Sequence, residues 1–326
     1  MQNGIYANAR AKAKEATLLG VGRLNRMIDS LSAEEAVKIL SEVGFGGGAV
    51  IDGAAEFETL LEKESEFLYA FIREAAPKEC VKKFLLLSND YKNAEAFMKE
   101  KHLRTDSSSM CVPFGLYQAD FLKDKIMTDD YGSFSATLKK TLIAADECFV
   151  SGNTDGLKIG AIFERGKFEE MRELSKKDRL IAELFKVKVD IANITVALRG
   201  RNFALLKDYL FDGGTLSREE LKSLCEDSFE LLREKFATSL RKDFILSAIE
   251  DAEKGRPLSA FEKKADDYAL NYLLKYRYVF EGTAPFVLYV YYKLAEILNV
   301  RLIIVSLSNG VSAEEIKKRL RVSYAG

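Results

Sequence analysis

Three near-identical helix starts constrain the fold of this chain more than any other feature. They read Leu31-Ser32-Ala33-Glu34-Glu35, Leu216-Ser217-Arg218-Glu219-Glu220 and Val311-Ser312-Ala313-Glu314-Glu315. In each, the serine can cap free backbone N–H groups of a helix, and the glutamate three residues later can bond back to the serine N–H. The repetition predicts a duplicated helical unit with three capping pairs: Ser32 and Glu35, Ser217 and Glu220, and Ser312 and Glu315.

An acid followed by asparagine three residues later forms a second repeat. The pairs are Asp90 and Asn93, Asp190 and Asn193, and Glu296 and Asn299, and their acids recur at intervals of 100 and 106 residues. This spacing places both side chains of a pair on one helical face. A weaker copy, Asn8-Ala9-Arg10, resembles Asn299-Val300-Arg301. The interval is too long for a solenoid and indicates roughly three helical modules.

The chain is predicted to be all-α. It has only four prolines, its apolar residues recur at helical spacing, and alternating strands with hairpin turns are not found. We predict three similar modules at residues 1–126, 127–228 and 229–326. The periodicity predicts helices over about 4–27, 31–43, 55–75, 78–101, 114–127, 133–150, 153–164, 166–174, 177–211, 217–253, 261–280, 285–307 and 312–322.

Composition excludes some classes of protein. The chain has 49 basic and 50 acidic residues, without the basic excess of a nucleic-acid-binding protein. The most apolar stretch, 284–292, stops at Lys293 and is far shorter than the ~20 residues that cross a bilayer. No signal peptide is predicted, because the basic residues near the start lead only into a short, glycine-broken segment.

The sequence offers little material for a metal or catalytic site. Its four cysteines are scattered without a CxxC motif, and its single histidine, His102, has no partner at motif spacing. We expect reduced, packed cysteines, no bound metal and no cofactor. His102 is expected to act as a positive charge at a helix C-terminus.

Two further motifs are incomplete. The stretch 44–49 matches the dinucleotide pattern GxGxxA, but a predicted helix precedes it where a strand is needed, so a flexible helix stop is expected. Asp266 and Asp267 resemble the DDxxD motif of all-α prenyl-transfer enzymes, but Leu270 replaces the last acid. We interpret these carboxylates as solvated.

The acid–asparagine pairs are the only polar groups that repeat on apolar helices, and an arginine follows two of them. Buried polar groups must be paired, so an internal hydrogen-bonded network is the first expectation, with a partner-facing role as the alternative. The candidate network residues are Asp90, Asn93, Asp190, Asn193, Arg199, Glu296, Asn299 and Arg301.

Three segments together resemble one protein family: 6–19, beginning Tyr-Ala-Asn-Ala-Arg, 190–199, beginning Asp-Ile-Ala-Asn, and 296–316, beginning Glu-Ile-Leu-Asn-Val-Arg. Their order and spacing resemble those of the C subunit of prokaryotic V/A-type rotary ATPases, the counterpart of the d subunit in the vacuolar enzyme. The resemblance covers nearly the whole chain. The glycine-rich loop at 44–53 and the acidic helix after it depart from it.

The resemblance implies a funnel of three helical modules in a pseudo-threefold arrangement, present as one copy per complex. The protein would be a non-catalytic part of the rotor, on the cytoplasmic face of the proteolipid ring. Its socket would receive the central shaft, made of the D and F subunits, and it would touch the membrane only indirectly, through the ring. The implied role is coupling of ATP turnover to proton or sodium transport.

Two other classes of protein remain open. One is an all-helical scaffold or adaptor for another complex, which would not co-purify with a proteolipid ring. The other is an all-α metal–diphosphate enzyme, which Leu270 and the absence of a second acidic motif disfavour.

Overall fold

The computed structural model is helical throughout. It describes residues 2–152, 154–239, 241–256 and 259–324, and this part contains no strand. With 75% of the residues helical, the all-α prediction is confirmed. The helices are α1 Gln2–Glu15, α2 Gly20–Ile28, α3 Ala33–Glu42, α4 Phe57–Ala75, α5 Glu79–Leu103, α6 Ala119–Met127, α7 Ala136–Val150, α8 Gly156–Ser175, α9 Arg179–Gly200, α10 Phe203–Leu206, α11 Arg218–Glu226, α12 Phe229–Phe236, α13 Lys242–Glu253, α14 Ser259–Leu274, α15 Ala284–Ser308 and α16 Ala313–Arg319.

Several predicted helix boundaries were wrong. The helix expected over 4–27 is two helices, because the chain turns after Glu15 and Gly20 adopts a left-handed φ of 68°. The run 177–211 ends its main helix at Gly200, and 217–253 is divided among α11, α12 and α13.

Conversely, α8 continues without a break through Gly166. A Cβ there would lie 2.0 Å from the Thr141 hydroxyl, so this glycine permits close packing of α8 rather than ending the helix.

The chain forms two compact units, and each is continuous in space but not in sequence. The first unit contains Met1–Pro77, Ala197–Arg201 and Leu221–Gly326, and the second contains Lys78–Val196 and Asn202–Glu220. Both ends of the chain therefore belong to the first unit. The three-module division at 1–126, 127–228 and 229–326 stays a prediction.

In the second unit, α5 packs against α6, α7 and α8. One of its buried stripes follows the spacing of a helical face, and its members are Phe84, Leu87, Tyr91, Ala94 and Met98. A second buried stripe carries Asp90 and Asn93 between Leu86 and Phe97. Burial on two sides explains why polar residues of α5 lie inside the unit.

In the first unit, α15 is the central helix and packs against α1, α2, α3, α4 and α14. It is buried on nearly every side, as expected for a helix that is apolar all round. Lys293, Glu296 and Asn299 are nevertheless among its buried residues. Within the described residues, no helix, α15 included, combines the length and the apolar character needed to cross a membrane.

Candidate functional site

Each acid–asparagine pair binds backbone groups of a loop, and we call such a pair a clamp. In the first clamp, Asn93 accepts a hydrogen bond from Val112 N at 2.7 Å and donates one to Val112 O at 2.7 Å. Asp90 accepts from Leu116 N at 2.9 Å and from Tyr117 N at 3.1 Å. The clamp therefore fixes this loop to α5 at two points, about one helical turn apart.

The second clamp repeats this geometry on α9. Asn193 pairs with both backbone groups of Phe211 at 2.8 Å. Asp190 accepts from Thr215 N at 2.7 Å, from the Thr215 hydroxyl and from Leu216 N at 3.3 Å. Because Asp190 and Asn193 are almost completely buried, these bonds satisfy groups that water does not reach.

A glycine next to each acid allows the loop to approach so closely. A Cβ on Gly115 would lie 2.1 Å from Asp90 Oδ1, and a Cβ on Gly214 would lie 2.2 Å from Asp190 Oδ1. Neither position requires a left-handed backbone, so the requirement is for space. Sequence analysis missed this role, although in both loops a glycine directly precedes the residue whose N–H the aspartate binds.

The third clamp on α15 binds the two ends of the chain instead of one downstream loop. Asn299 accepts from Arg321 N at 2.9 Å and donates to Arg321 O at 3.1 Å and to the Ser323 hydroxyl at 3.0 Å. Glu296 accepts from Leu19 N at 2.5 Å, across 277 residues of sequence. The residues that the third clamp binds therefore come from two segments, one near each end of the sequence.

The tail after α16 is held further by the two aspartates that were expected to be solvated. Asp267 accepts from Val322 N at 2.7 Å, and Asp266 pairs with Arg321 Nε at 2.7 Å. The Tyr324 carbonyl accepts from Val21 N at 3.0 Å. The interpretation as solvated was wrong for Asp267, whose side chain is only 13% exposed, whereas Asp266 binds the tail with 47% of its side chain exposed to solvent.

Glu296 belongs to a buried ionic network. Lys293 Nζ lies 2.6 Å from Glu296 and 2.5 Å from Glu64 on α4, and Glu64 accepts from Gly46 N at 2.6 Å. Burial raises the pKa of Glu296 despite the opposing effect of Lys293. Burial lowers the pKa of Lys293, but attraction to Glu296 and Glu64 outweighs it and leaves that pKa raised. The lysine therefore stays charged between two carboxylates, and the Leu19 and Gly46 N–H groups provide further donors.

The glycine-rich loop at 44–48 is part of this packing rather than an open helix stop. Gly46 and Gly47 have φ values of 73° and 67°. A Cβ on Gly46 would lie 2.9 Å from Leu60 Cδ2, and one on Gly47 would lie 2.7 Å from the Phe67 ring. Helix α3 does end before the loop, as predicted, but the loop then packs closely against α4.

Two arginines of the candidate network do not join the clamp bonds. Arg199 is exposed near the end of α9. Arg301 forms two hydrogen bonds to the Glu58 carboxylate, at 2.9 and 2.6 Å, on the exposed side of α15. Arg201, which sequence analysis missed, donates to the Leu224 carbonyl at 2.8 Å.

The weak N-terminal copy holds a different loop. Asn8 donates to the Phe280 carbonyl at 2.8 Å and to the Gly282 carbonyl at 3.1 Å. Its Oδ1 is buried without a hydrogen-bond partner among the described residues. Arg10 pairs with Glu74 at 2.9 Å. Asn8 therefore supplies donors only, unlike the asparagines of the three clamps.

All three serines cap their helices, but they differ in whether the glutamate three residues later bonds back to the N–H of the serine. Ser217 accepts from Glu220 N at 3.2 Å, and Glu220 accepts from Ser217 N at 2.7 Å, which is a full capping box. Ser32 accepts from Glu35 N at 3.3 Å, but Glu35 binds the N–H of Leu31 instead. Ser312 accepts from Glu315 N at 3.4 Å. Each serine cap contributes about 1 kcal/mol to helix stability.

His102 has an acidic partner that is distant in sequence. Its Nε2 lies 2.8 Å from Asp146, and its ring stacks on Phe149 with 4.5 Å between centroids. Lys101 lies 2.9 Å from Asp146 and also pairs with Asp129. Burial would raise the pKa of Asp146, but hydrogen bonds from Lys101 and His102 outweigh it and hold that pKa below its ordinary value. Within the described residues, no three His, Cys, Asp or Glu side chains are grouped to hold a metal ion.

The fold and the clamps together define an all-α protein in which recurring polar side chains fix loops to long helices. The chain belongs to the ATP synthase (C/AC39) subunit family, whose sequence model matches residues 7–319. The family resemblance inferred from the sequence is thereby confirmed.

Relatives extend over nearly the whole chain. The C subunit of a V-type sodium ATPase from Enterococcus hirae is 22% identical and aligns with 97% of this chain and 98% of its own. The C subunit of an A-type ATP synthase from Methanocaldococcus jannaschii is 23% identical over 97% and 85%. Its counterpart from Desulfurococcus is 26% identical over 96% and 89%.

Proposed function

We propose that this protein is the non-catalytic rotor element that couples the central shaft of a V/A-type ATPase to its membrane ring. The observation that carries the proposal is the family match over residues 7–319, together with full-length relatives named as the C subunit of such enzymes. In this role the chain is a socket for the D and F subunits of the shaft and sits on the cytoplasmic side of the proteolipid ring. It reaches the membrane only through that ring, as one copy per complex.

The mechanical requirement of this role suits the clamps. A coupling element must transmit torque without yielding at its loops, and each clamp ties a loop to a long helix through bonds shielded from water. Hydrogen bonds in a low-dielectric interior are stronger than those in water, so clamped loops resist displacement. This stiffness supports the coupling role.

The arrangement of modules belongs to the same proposal. Each of the divisions 1–126, 127–228 and 229–326 contains one clamp helix, namely α5, α9 or α15. One clamp in each module fits a threefold repeat of the kind that the family resemblance implies. Proton and sodium transport, and ATP synthesis and hydrolysis, are all compatible with it, since one relative is named a sodium ATPase and others ATP synthases.

The deciding experiment removes this chain from the complex and measures two activities. ATP hydrolysis by the soluble catalytic sector should persist, and ATP-driven ion pumping should be lost and return when the purified chain is added back. Pumping that survives depletion would contradict the proposal. A chain that never co-purifies with the proteolipid ring would instead be a scaffold or adaptor of another complex.

A matching measurement on the isolated chain tests its non-catalytic character. Isothermal titration with Mg-ATP should give no saturable heat. A site of micromolar affinity would argue for an enzyme instead.

A further inference from the structure

A cleft rich in cations lies in the second unit, between α8 and the loop held by the second clamp. Its volume is about 370 Å³. We call it the basic cleft, and its charged lining residues are Arg165, Arg172, Lys207, Arg218, Glu169, Asp208 and Asp212. Four cations against three carboxylates leave a small positive excess.

Among the described residues, the cations of the basic cleft make no direct ion pair with those carboxylates. Arg165 donates to the backbone carbonyl of Asp208, and the Arg218 guanidinium lies 5.8 Å from the centroid of the Phe203 ring. In the described part of the chain, none of the four cations forms an ion pair with an acid. Their charges are therefore available to a ligand.

The walls of the cleft are fixed in place. Arg165, Glu169 and Arg172 follow one another at i, i+4 and i+7 on α8 and so share one face of that helix. The opposite wall includes Phe211, whose backbone N–H and C=O are both bound by Asn193. A ligand would meet a preorganised arrangement, which lowers the entropy lost on binding.

We propose that the basic cleft is the docking site for an acidic segment of a protein partner, which inserts a Glu or Asp side chain between the arginines. Guanidinium groups bind carboxylates in a bidentate geometry, and three arginines line the cleft. The carboxylates of the lining oppose a multiply charged phosphate more than a single carboxylate, and they can accept bonds from basic residues beside it. The inference rests on the proposed function in that the partner is another member of the same complex.

Charge reversal of Arg172 tests the docking site. Arg172 is exposed, so Arg172→Glu should fold normally, which thermal unfolding checks. Lys176→Glu is the matched control, because Lys176 is one turn away and pairs locally with Glu173 at 2.7 Å. Added back to complex depleted of this chain, the Arg172→Glu variant should bind about tenfold more weakly than wild type, with a shallower salt dependence. The control should bind within about twofold of wild type.

The outcomes separate the two proposals. Normal binding by Arg172→Glu, with wild type also binding, overturns the docking site and leaves the coupling function intact. Failure of wild type to rejoin the complex contradicts the coupling function. The docking site is then tested by peptide binding to the isolated chain.

For the isolated chain the probe is a fluorescent hexaglutamate peptide. Its binding should be saturable, lost at high salt, weakened by Arg172→Glu and unaffected by Lys176→Glu. Absence of binding, or equal binding by all three proteins, rejects the proposal. Inorganic pyrophosphate that binds the cleft more tightly than the peptide and displaces it would identify a phosphate site instead.

Discussion

The second and third clamps perform the same task with very different lengths of chain. Asn193 and Asp190 bind residues 18 to 26 positions downstream. In the third clamp Glu296 reaches Leu19 across 277 residues. Closing the longer loop costs about 2 kcal/mol more in chain entropy, because that cost grows with the logarithm of loop length. The repeated chemistry of the clamp therefore does not depend on the order in which the chain supplies its parts.

The surroundings of the two clamps differ as well. Asp190 accepts hydrogen bonds from the loop that it holds, whereas Glu296 pairs with the buried Lys293, which in turn contacts Glu64. The longer clamp thus carries a buried ionic network in addition to its backbone bonds. This difference predicts that the first unit is more sensitive to changes of charge than the second.

The largest effect is expected at Lys293. Lys293→Met leaves two buried carboxylates without their counter-ion and should lower the free energy of unfolding by about 3–5 kcal/mol in urea titrations. The control is Lys101→Met in the second unit, whose partners Asp129 and Asp146 are partly exposed, and it should cost about 1 kcal/mol or less.

A double variant checks the cause of that loss. Glu64→Gln in the Lys293→Met background should restore part of the stability, because it removes one uncompensated charge. Equal losses at Lys293 and Lys101, or no rescue, would show that the buried network is not the distinguishing feature of the first unit.

Removal of the clamp asparagines comes next in size. Asn193→Ala removes the partner of the Phe211 N–H and C=O, and Asn299→Ala removes that of the Arg321 N–H, whose C=O keeps a bond from the Ser323 hydroxyl. Each group left unpaired away from water costs about 1–3 kcal/mol. The two variants should loosen different segments of the chain. Hydrogen exchange should accelerate locally in the tail at residues 320–324 for Asn299→Ala, and over the loop at 211–216 for Asn193→Ala. Uniform acceleration over both units in both variants would contradict independent clamps.

Close approach of the loop to Asp190 gives a third prediction. Gly214→Ala should cost about 1–3 kcal/mol by forcing the loop away from the carboxylate. Gly156→Ala on α8 meets nothing within 4 Å and should be neutral or slightly stabilising. Chemical denaturation of the two variants gives the comparison, and a neutral Gly214→Ala would mean that the loop adjusts without loss.

The smallest expected effect concerns pH. The lowered pKa of Asp146 means that its contribution is present above the unfolded value near 3.9 and is lost as pH falls below it. The raised pKa of Glu296 acts oppositely, so its contribution is greatest in acid and is lost as pH rises through the folded value. When pH is lowered from 6 to 3, the second unit should therefore lose stability relative to the first. Hydrogen exchange should show this as weaker protection of amides in the second unit.

Asp146→Asn provides the control for that measurement. It should cost about 0.2–1 kcal/mol at pH 7 and less at pH 2, because the contribution of the charge is lost as pH falls through the lowered folded pKa. An equal cost at both pH values would show that the charge of Asp146 does not contribute.

The sequence predicted the helical class and the polar residues of the clamps, because both follow from spacing along one helix. Asp90 with Asn93 and Asp190 with Asn193 stand three apart on apolar faces, and their burial follows from that pattern. Their partners could not be predicted, since backbone groups of a loop carry no residue signature. The roles of Gly115 and Gly214 depend on distances that only the folded loop defines.

Long-range pairs were missed for a related reason. His102 and Asp146 are 44 residues apart, and Leu19 and Glu296 are 277 apart, so local motifs contain no sign of either contact. The arginines near the clamps show the opposite error, in which residues were included in the candidate network although they form no clamp bond. Arg199 follows Asn193 by six residues and Arg301 follows Asn299 by two, and both lie on exposed helix surfaces, because proximity in sequence to a clamp does not place a side chain on its buried face.

The placement of both chain ends in the first unit has a consequence for protein synthesis. Residues 1–77 leave the ribosome before α15, the helix that they surround, which is made more than two hundred residues later. At roughly 5–20 residues per second, this first segment waits on the order of ten seconds or more with its apolar faces uncovered. Meanwhile the second unit, which ends at Glu220, already has its whole sequence. The order of translation thus leaves the apolar faces of residues 1–77 open to chaperones during synthesis, and of the two units the first completes its sequence later.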